Sequence, residues 1–199
     1  MIISCLGDSL TEGDYGIYQK RGIANVHDEN YPYFLQKLTN GEVRNFGKCG
    51  YTATSFLKYF NEGNADVSGS DLIIIMLGTN GGQSIDEETQ GNRDYAELIK
   101  RSREEAPDAE IVLCTPPHVT ENPEMSNCGY IDRVRQAIGF VKRLAGEKNL
   151  PLINLHECPD FTAENESIMQ PNDGLHFSEE GYRVMAEYIF NALCEMRLI

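Results

Sequence analysis

One run of apolar residues near the middle of the chain restricts its fold more than any other feature. Leu72-Ile73-Ile74-Ile75-Met76-Leu77 contains no polar residue. Side chains of a β-strand point alternately to opposite faces, so a strand that is apolar at every position needs cover on both faces. The run therefore predicts a central strand of a parallel sheet that lies between two layers of helices.

Similar runs recur along the chain and alternate with segments of helical spacing. The predicted strands cover Ile2 to Leu6, Val43 to Phe46, Leu72 to Leu77, Ile111 to Cys114 and Leu152 to Leu155. Apolar residues at helical spacing form two clear stripes: Ile131, Val134, Ile138, Val141 and Leu144, then Tyr182, Met185, Ile189, Leu193 and Met196. This alternation predicts an α/β fold, a three-layer α/β/α sandwich with a five-stranded parallel sheet and right-handed crossovers.

Local signals indicate where some of the helices begin and end. Pro32 suits the first position of a helix, and Pro107 stops a helix that runs from about Tyr95 to Glu105. Ser178 suits an N-cap, because two glutamates follow it in the first turn of the last predicted helix.

Length, charge and cysteine usage limit the class of protein. The 199 residues, 41% of them hydrophobic, predict one domain that spans residues 1–199. A formal net charge of -14 excludes partners that require many Lys and Arg side chains, so we expect neither nucleic acid nor an anionic membrane surface as a partner. The oligomeric state does not follow from the sequence.

The amino terminus and the cysteines favour a cytoplasmic protein. Met1 is followed directly by Ile2-Ile3-Ser4-Cys5-Leu6, without the basic flank, the long apolar stretch or the cleavage site of a secretory signal, and no run reaches transmembrane length. The six cysteines lack paired close spacing and are expected to be reduced, mostly buried thiols.

Two motifs at opposite ends of the chain contain the side chains of an acyl-transfer triad. Gly7-Asp8-Ser9-Leu10 directly follows the first predicted strand, and Asp173-Gly174-Leu175-His176 precedes the last predicted helix. A serine hydroxyl needs a neighbouring base before it can attack an ester, and an imidazole serves near neutral pH. We expect Ser9 to be the nucleophile, His176 the base and Asp173 the carboxylate that orients the imidazole.

Two further segments supply hydrogen-bond donors at the same predicted sheet edge. Gly50 lies in the segment after the second strand, and Asn80 follows the third strand in Gly78-Thr79-Asn80. The oxyanion of a tetrahedral intermediate needs donors that already point at it, and the Gly50 N–H, the Asn80 amide and the Ser9 N–H suit that role. Each segment alone is more typical of an ordinary turn or helix cap; together they favour an oxyanion hole.

With these four segments the chain resembles the G-D-S-L esterase and lipase family, also called SGNH hydrolases. The resemblance covers the whole chain. Its serine, glycine, asparagine and D-x-x-H blocks correspond in order to Ser9, Gly50, Asn80 and the pair Asp173 and His176. The resemblance implies a flavodoxin-like sandwich, the roles given above, and no metal or organic cofactor. The family often has an aspartate after the asparagine, where this chain has Gly81 and then Gly82, which give the Asn80 loop more backbone freedom.

The expected substrate is a small acyl ester. The resemblance to carbohydrate esterases in Gly-Asp-Ser-Leu-Thr-Glu-Gly and Leu-Gly-Thr-Asn favours an acetyl group on a sugar. The alternatives are a lysophospholipase or thioesterase with the same triad and, in a different class, a non-catalytic flavodoxin-like domain that binds a ligand at this edge. The sequence offers no His-Glu-x-x-His or similar metal-ligand spacing.

Two long loops are candidates for substrate binding at the same edge, or are simply solvated connections. The loop from Glu12 to Asn30 follows the first strand, and the loop from Pro116 to Gly129 follows the fourth. Tyrosines in the first loop and after the second strand can stack on a sugar or pack internally, and a histidine in the second loop can line the site. These residues are Tyr15, Tyr18, Tyr51 and His118.

Overall fold

A computed structural model describes residues 1–17 and 26–199 of the chain. Its five strands are β1 (Ile2–Gly7), β2 (Glu42–Asn45), β3 (Leu72–Met76), β4 (Glu110–Cys114) and β5 (Leu152–Ile153). They pair in parallel in the order β2-β1-β3-β4-β5. The predicted α/β fold with a five-stranded parallel sheet is confirmed, and this strand order is the flavodoxin-like one.

The helices cover both faces of the sheet. They are α1 (Ser9–Glu12), α2 (Tyr31–Thr39), α3 (Ala53–Asn61), α4 (Gln90–Glu105), α5 (Ile131–Lys148), α6 (Glu166–Met169) and α7 (Glu179–Glu195). One core packs α2 and α7 against one face of the sheet, and a second core packs α3, α4 and α5 against the other. The sandwich therefore has the three layers that the sequence predicts.

The strand β3 shows why the central run is apolar throughout. Its alternate side chains Leu72, Ile74 and Met76 enter the core beneath α2 and α7. Ile73 and Ile75 enter the opposite core. Every residue of the strand is buried, so a polar residue at any of these positions would lose its hydration on one side of the sheet or the other.

Several element boundaries differ from the predicted ones. β2 begins and ends one residue earlier than predicted, and β5 ends at Ile153 because Leu155 begins a short 3-10 helix, Leu155–Glu157.

The helix α4 begins at Gln90, five residues before Tyr95, because the Thr89 side chain caps it and its first turn is polar. Pro32 occupies the second helical position rather than the first, since Asn30 is the N-cap of α2. The Ser178 cap lies where it is predicted.

The six cysteines are unpaired thiols, three of them buried and Cys194 exposed. Within residues 1–17 and 26–199, no helix combines the length and the apolar character that crossing a bilayer requires. The single domain and the cytoplasmic location stay predictions.

Candidate active site

The serine motif forms a tight connection between β1 and α1. The carboxylate of Asp8 accepts a hydrogen bond from the Leu10 N–H at 3.1 Å and caps the short helix, so Ser9 is the first residue of α1. Gly7 has no room for a side chain, because a Cβ atom there would lie 2.0 Å from the Thr11 hydroxyl oxygen. The nucleophile candidate is therefore held at the carboxyl end of β1, where ligands of parallel sheets bind.

Ser9, His176 and Asp173 form one chain of hydrogen bonds. The Ser9 Oγ lies 2.9 Å from the His176 Nε2, and the His176 Nδ1 lies 2.7 Å from the Asp173 Oδ2. A carboxylate only accepts hydrogen bonds, so the neutral imidazole donates from Nδ1 and leaves Nε2 to accept from the serine. All three residues are buried.

The Asp173 carboxylate is fixed by the turn that contains it. Its Oδ1 accepts hydrogen bonds from the backbone N–H groups of Leu175 and His176 at 3.0 and 2.9 Å. The three-residue spacing between Asp173 and His176 thus lets one carboxylate bind both the turn and the ring. This leaves Asp173 little freedom to turn away from the imidazole.

Carboxylates around His176 favour its protonated form. Burial lowers the pKa of His176, but the hydrogen bond and charge of Asp173, followed by the charges of Asp14 and Asp8, outweigh burial and raise that pKa above its usual value. The imidazolium that forms when the serine loses its proton is therefore stabilised where it is needed.

Gly50 and Asn80 lie beside Ser9 and His176 in a cleft of about 110 Å³. The Asn80 Nδ2 donates to the Tyr51 carbonyl oxygen at 3.0 Å, which ties the Asn80 side chain to the segment that contains Gly50. Gly50 has a φ of 76° and open space around the position of a Cβ atom. The structure thus brings the five predicted site residues to one edge of the sheet.

The two glycines after Asn80 close its loop. Gly81 and Gly82 have φ values of 80° and 94°, a backbone region that favours glycine. The Gly81 N–H donates to the Gly78 carbonyl oxygen at 2.9 Å and completes a turn around Asn80. The departure from the common family pattern therefore fits a defined turn, whereas the sequence alone suggested only extra freedom.

The cleft also contains residues that the sequence did not assign to it. Among the residues that the structure describes, its lining is Ser9, Asp14, Cys49, Gly50, Asn80, Tyr130, Leu175 and His176. Asp14 is the addition with the most chemical consequence, because its Oδ2 lies 3.7 Å from the His176 Nε2. A local feature explains the position of Asp14: Gly13 ends α1 in the left-handed conformation and turns the chain back. The Asp14 N–H then donates to the Ser9 carbonyl oxygen at 3.0 Å.

Three of the four residues named as candidates for substrate binding do not line this cleft. Tyr15 packs against His27 with ring centroids 4.1 Å apart, and Tyr51 packs edge-on against Phe56 and Tyr59. His118 lies beside Glu166, outside the cleft. The rings of Tyr15 and Tyr51 therefore serve in packing within the protein. The fourth, Tyr18, lies outside the described residues.

A larger groove of about 380 Å³ lies elsewhere and contains none of the predicted site residues. Its walls come from the final turns of α4 and α5 and from Leu150. Helices that follow parallel strands run back along the sheet, so these turns lie at the opposite edge from Ser9. In the part of the chain that the structure describes, no three His, Cys, Asp or Glu side chains are grouped to hold a metal ion; the absence of a cofactor stays a prediction.

The pattern of the GDSL-like lipase/acylhydrolase family matches residues 5–184. The chain belongs to this family. Membership makes the protein a carboxylic-ester hydrolase rather than a non-catalytic binding domain. No curated protein sequence matches the chain.

Solved structures with the same fold include several esterases. A carbohydrate acetylesterase from Sinorhizobium meliloti has a TM-score of 0.75 and 18% identity, with 98% of this chain and 99% of that chain covered. The aryl esterase of M. smegmatis has a TM-score of 0.74 and 19% identity, with 100% and 99% covered. A lipase/acylhydrolase from Enterococcus faecalis has a TM-score of 0.70 and 21% identity, with 98% and 96% covered. At such identities these likenesses concern the fold.

Proposed function

We propose that this protein hydrolyses short-chain acyl esters, above all O-acetyl groups on carbohydrate, through an acyl-serine intermediate. The observation that carries the proposal is the hydrogen-bonded chain from Ser9 through His176 to Asp173, which opens into the small cleft. A serine with a base and an orienting carboxylate has the parts of a covalent acyl-transfer mechanism.

The first half of the reaction forms the acyl-enzyme. The Ser9 Oγ attacks the ester carbonyl carbon while the His176 Nε2 takes the serine proton. Negative charge develops on the carbonyl oxygen, where the backbone N–H groups of Ser9 and Gly50 and the Asn80 amide donate hydrogen bonds. When the tetrahedral intermediate collapses, the bond to the alcohol oxygen breaks, and His176 gives its proton to that oxygen.

The second half regenerates the enzyme by the same proton path. Water attacks the acyl carbon, His176 takes a proton from it, and the oxyanion again forms against the same donors. Collapse returns the electron pair to the Ser9 oxygen, which recovers its proton from His176, and the carboxylic acid leaves. Asp173 takes no part in the proton transfers; it holds the ring and stabilises the imidazolium.

The size and lining of the cleft support a short acyl group. Its volume, about 110 Å³, is well below the roughly 300 Å³ at which pockets for larger ligands begin. Leu175 and Tyr130 are its main apolar walls, and the rest is largely polar. An acetyl group fits such a space, whereas a long alkyl chain would lie against polar groups or in solvent.

A sugar as the alcohol is supported by the polar lining and by the resemblance in the serine and asparagine motifs. The neighbour from Sinorhizobium meliloti is a carbohydrate acetylesterase, and for this chain the same substrate class is part of the proposal. A lysophospholipase or thioesterase would need an extended apolar acyl groove beside Ser9, and the described lining of the cleft does not favour it.

The nucleophile is tested with purified protein on p-nitrophenyl acetate and by labelling with a fluorophosphonate. We expect the parent to hydrolyse the ester and to gain one covalent adduct on Ser9, whereas Ser9→Ala should do neither. Ser68→Ala is the matched control, because Ser68 lies in an exposed loop and should leave both readings unchanged. Equal hydrolysis by Ser9→Ala and the parent would overturn the proposal.

The acyl preference is tested on p-nitrophenyl acetate, butyrate and octanoate under identical conditions. The short cleft predicts that kcat/KM falls from acetate to octanoate. Fastest turnover of octanoate would reject the short-chain assignment and favour the lysophospholipase or thioesterase alternative. A panel of acetylated sugars then identifies the preferred alcohol.

A further inference from the structure

Asp14 places a second carboxylate beside the reacting nitrogen of His176. Its Oδ2 lies 3.7 Å from the His176 Nε2, the same atom that lies 2.9 Å from the Ser9 Oγ. Asp173 contacts the opposite side of the ring, at Nδ1. The Asp14 side chain is only 7% exposed, and it forms part of the wall of the cleft. A substrate group that binds in the cleft next to the His176 Nε2 therefore lies close to the Asp14 carboxylate.

The position of the Asp14 carboxylate is fixed by several contacts. Its Oδ1 accepts a hydrogen bond from the Gly16 N–H at 2.8 Å, and its Oδ2 accepts a weak one from the Cys49 thiol at 3.7 Å. The Asp14 carbonyl oxygen accepts from the Tyr182 hydroxyl at 2.6 Å. A carboxylate held in this way needs little rearrangement when a donor approaches it from the cleft.

The mechanism determines which part of the substrate lies next to Asp14. The His176 Nε2 must give its proton to the departing alcohol oxygen, so that oxygen lies within hydrogen-bond distance of Nε2 when the ester bond breaks. Asp14 Oδ2 is within 4 Å of the same nitrogen. A substituent on the carbon next to the ester-bearing carbon of the alcohol can therefore reach Asp14. A carboxylate there attracts a hydrogen-bond donor and repels an anion.

We propose that Asp14 determines specificity for the alcohol by accepting a hydrogen bond from a hydroxyl group on the carbon adjacent to the ester-bearing carbon. Neighbouring hydroxyl groups of this kind are what partly acylated sugars and other polyols present. The inference rests on the proposed function, because it assumes that Ser9 attacks and that His176 protonates the leaving alcohol. It assigns to the alcohol side of the cleft a residue that the triad and oxyanion hole do not use.

Two matched acetate esters test this role directly. 2-Hydroxyethyl acetate carries the required hydroxyl, and 2-methoxyethyl acetate replaces its hydrogen with a methyl group while keeping the chain length and the electron withdrawal similar. Hydrogen bonds to charged groups are stronger than those between neutral groups, so the parent should prefer the hydroxyethyl ester by about tenfold or more in kcat/KM. p-Nitrophenyl acetate, which has no such hydroxyl, reports the proposed esterase activity separately.

Variants of Asp14 and its neighbour assign the preference to the carboxylate. Asp14→Ala should reduce the hydroxyethyl-to-methoxyethyl ratio to near one. Asp14→Asn keeps an amide oxygen that can accept a neutral hydrogen bond, so its ratio should lie between the two. Cys49→Ala is the control, because it removes a side chain that also lines the cleft and touches Asp14 but keeps the carboxylate, and its ratio should match the parent's.

The outcomes separate this inference from the proposed function. If the parent hydrolyses p-nitrophenyl acetate but shows a ratio near one, the esterase proposal stands and the role of Asp14 is wrong. A parental preference that survives in both Asp14 variants also overturns that role. If the parent hydrolyses none of the three esters, the proposed function fails and this inference fails with it. A ratio near one in the parent overturns the role without any variant, and Asp14→Asn, which keeps the shape of the side chain, tests the role if Asp14→Ala does not fold.

Discussion

Gly16 lies directly against the carboxylate of Asp173. A Cβ atom on Gly16 would lie 2.4 Å from the Asp173 Oδ2, the oxygen that is 2.7 Å from the His176 Nδ1. Gly16 also has a φ of 72°, which a residue with a side chain rarely adopts. The loop that follows the serine motif therefore contacts the turn that contains the histidine motif. At position 16 only glycine fits between the two.

Gly16→Ala is expected to impair the reaction although Gly16 touches none of the reacting atoms. The new methyl group must displace Asp173 or the loop, and the imidazole then loses the carboxylate that orients it. Displacements of this kind reduce turnover strongly, so we expect kcat/KM for p-nitrophenyl acetate to fall at least about tenfold. The measurement is steady-state kinetics together with a thermal melt.

Gly63→Ala separates the steric clash from backbone strain. Gly63 has a φ of 77°, similar to that of Gly16, but nothing lies within 4 Å of the position of its Cβ atom. Left-handed backbone strain of about 1 to 2 kcal/mol is common to both variants. Kinetics of Gly16→Ala that match those of Gly63→Ala would show that the contact with Asp173 does not matter.

The second prediction concerns the oxyanion and Asn80. Asn80→Ala removes an amide donor beside Ser9, and loss of one such donor lowers kcat by about 10²- to 10³-fold. Asn80→Asp has nearly the same shape but replaces the donor with a negative charge, so its kcat should be at least as low. KM should change much less than kcat in Asn80→Ala, because the interaction strengthens only as charge develops.

Asn64→Ala is the control for the oxyanion prediction. Asn64 also donates from its amide to a backbone carbonyl oxygen, that of Tyr59 at 3.3 Å, but it is exposed and outside the cleft. It should keep the parental kcat. A loss in Asn80→Ala that appears in KM alone would contradict the assigned role.

The fold follows from the sequence because strands and helices that are buried on defined faces leave a periodic apolar pattern. Leu72–Met76 is buried on both faces of the sheet, and the composition of the run shows it. The boundaries are less well determined, as at Gln90, where a polar first turn depends on a side-chain cap rather than on apolar spacing. The short helix that begins at Ser9 has too few residues to show any period.

The candidate site is predictable where its residues follow strands and unpredictable where they approach through space. Ser9 and Asn80 lie within four residues of the ends of strands whose carboxyl ends share an edge, so their proximity follows from the sheet. Asp14 reaches His176 only because Gly13 reverses the chain, and the contact of Gly16 with Asp173 joins residues far apart in sequence. Tyr51 has the chemistry of a sugar-binding residue, but its ring packs against Phe56 and Tyr59.

Asp8 gives a prediction about stability. Burial raises the pKa of Asp8 from 3.8 to about 6, against smaller lowering contributions from Leu10, Thr79 and His176. Its Oδ2 is buried and has no hydrogen bond among the described residues. The folded protein therefore binds more protons at this site than the unfolded chain between about pH 4 and pH 6, so the free energy of unfolding falls as the pH rises through that window.

Asp8→Asn should remove this dependence, because asparagine keeps the oxygen that caps α1 and carries no charge. At pH 8 we expect the variant to be more stable than the parent by about 1 to 3 kcal/mol, and at pH 4 the difference should shrink. Urea denaturation at both pH values measures it. Asp66→Asn is the control, since Asp66 is exposed and its pKa is lowered by hydrogen bonds to Ser68; a comparable gain there would contradict the assignment to Asp8.

The pH dependence of the reaction provides a test of the charges around His176. His176 must be neutral to take the serine proton, and kcat/KM therefore falls as the pH drops through the pKa of His176. Burial lowers this pKa, and Asp173, Asp14 and Asp8 together raise it above its usual value. The acid limb of the profile for p-nitrophenyl acetate should consequently lie at a higher pH than an ordinary histidine would give.

Asp14→Asn removes one of these charges and should move the acid limb to lower pH, because the imidazolium loses a favourable neighbour. Asp108→Asn makes the same change of charge at an exposed position before β4 and should leave the limb in place. This comparison excludes a general effect of the net charge. A limb that stays fixed in Asp14→Asn, or moves to higher pH, would mean that Asp14 does not act on His176 through its charge.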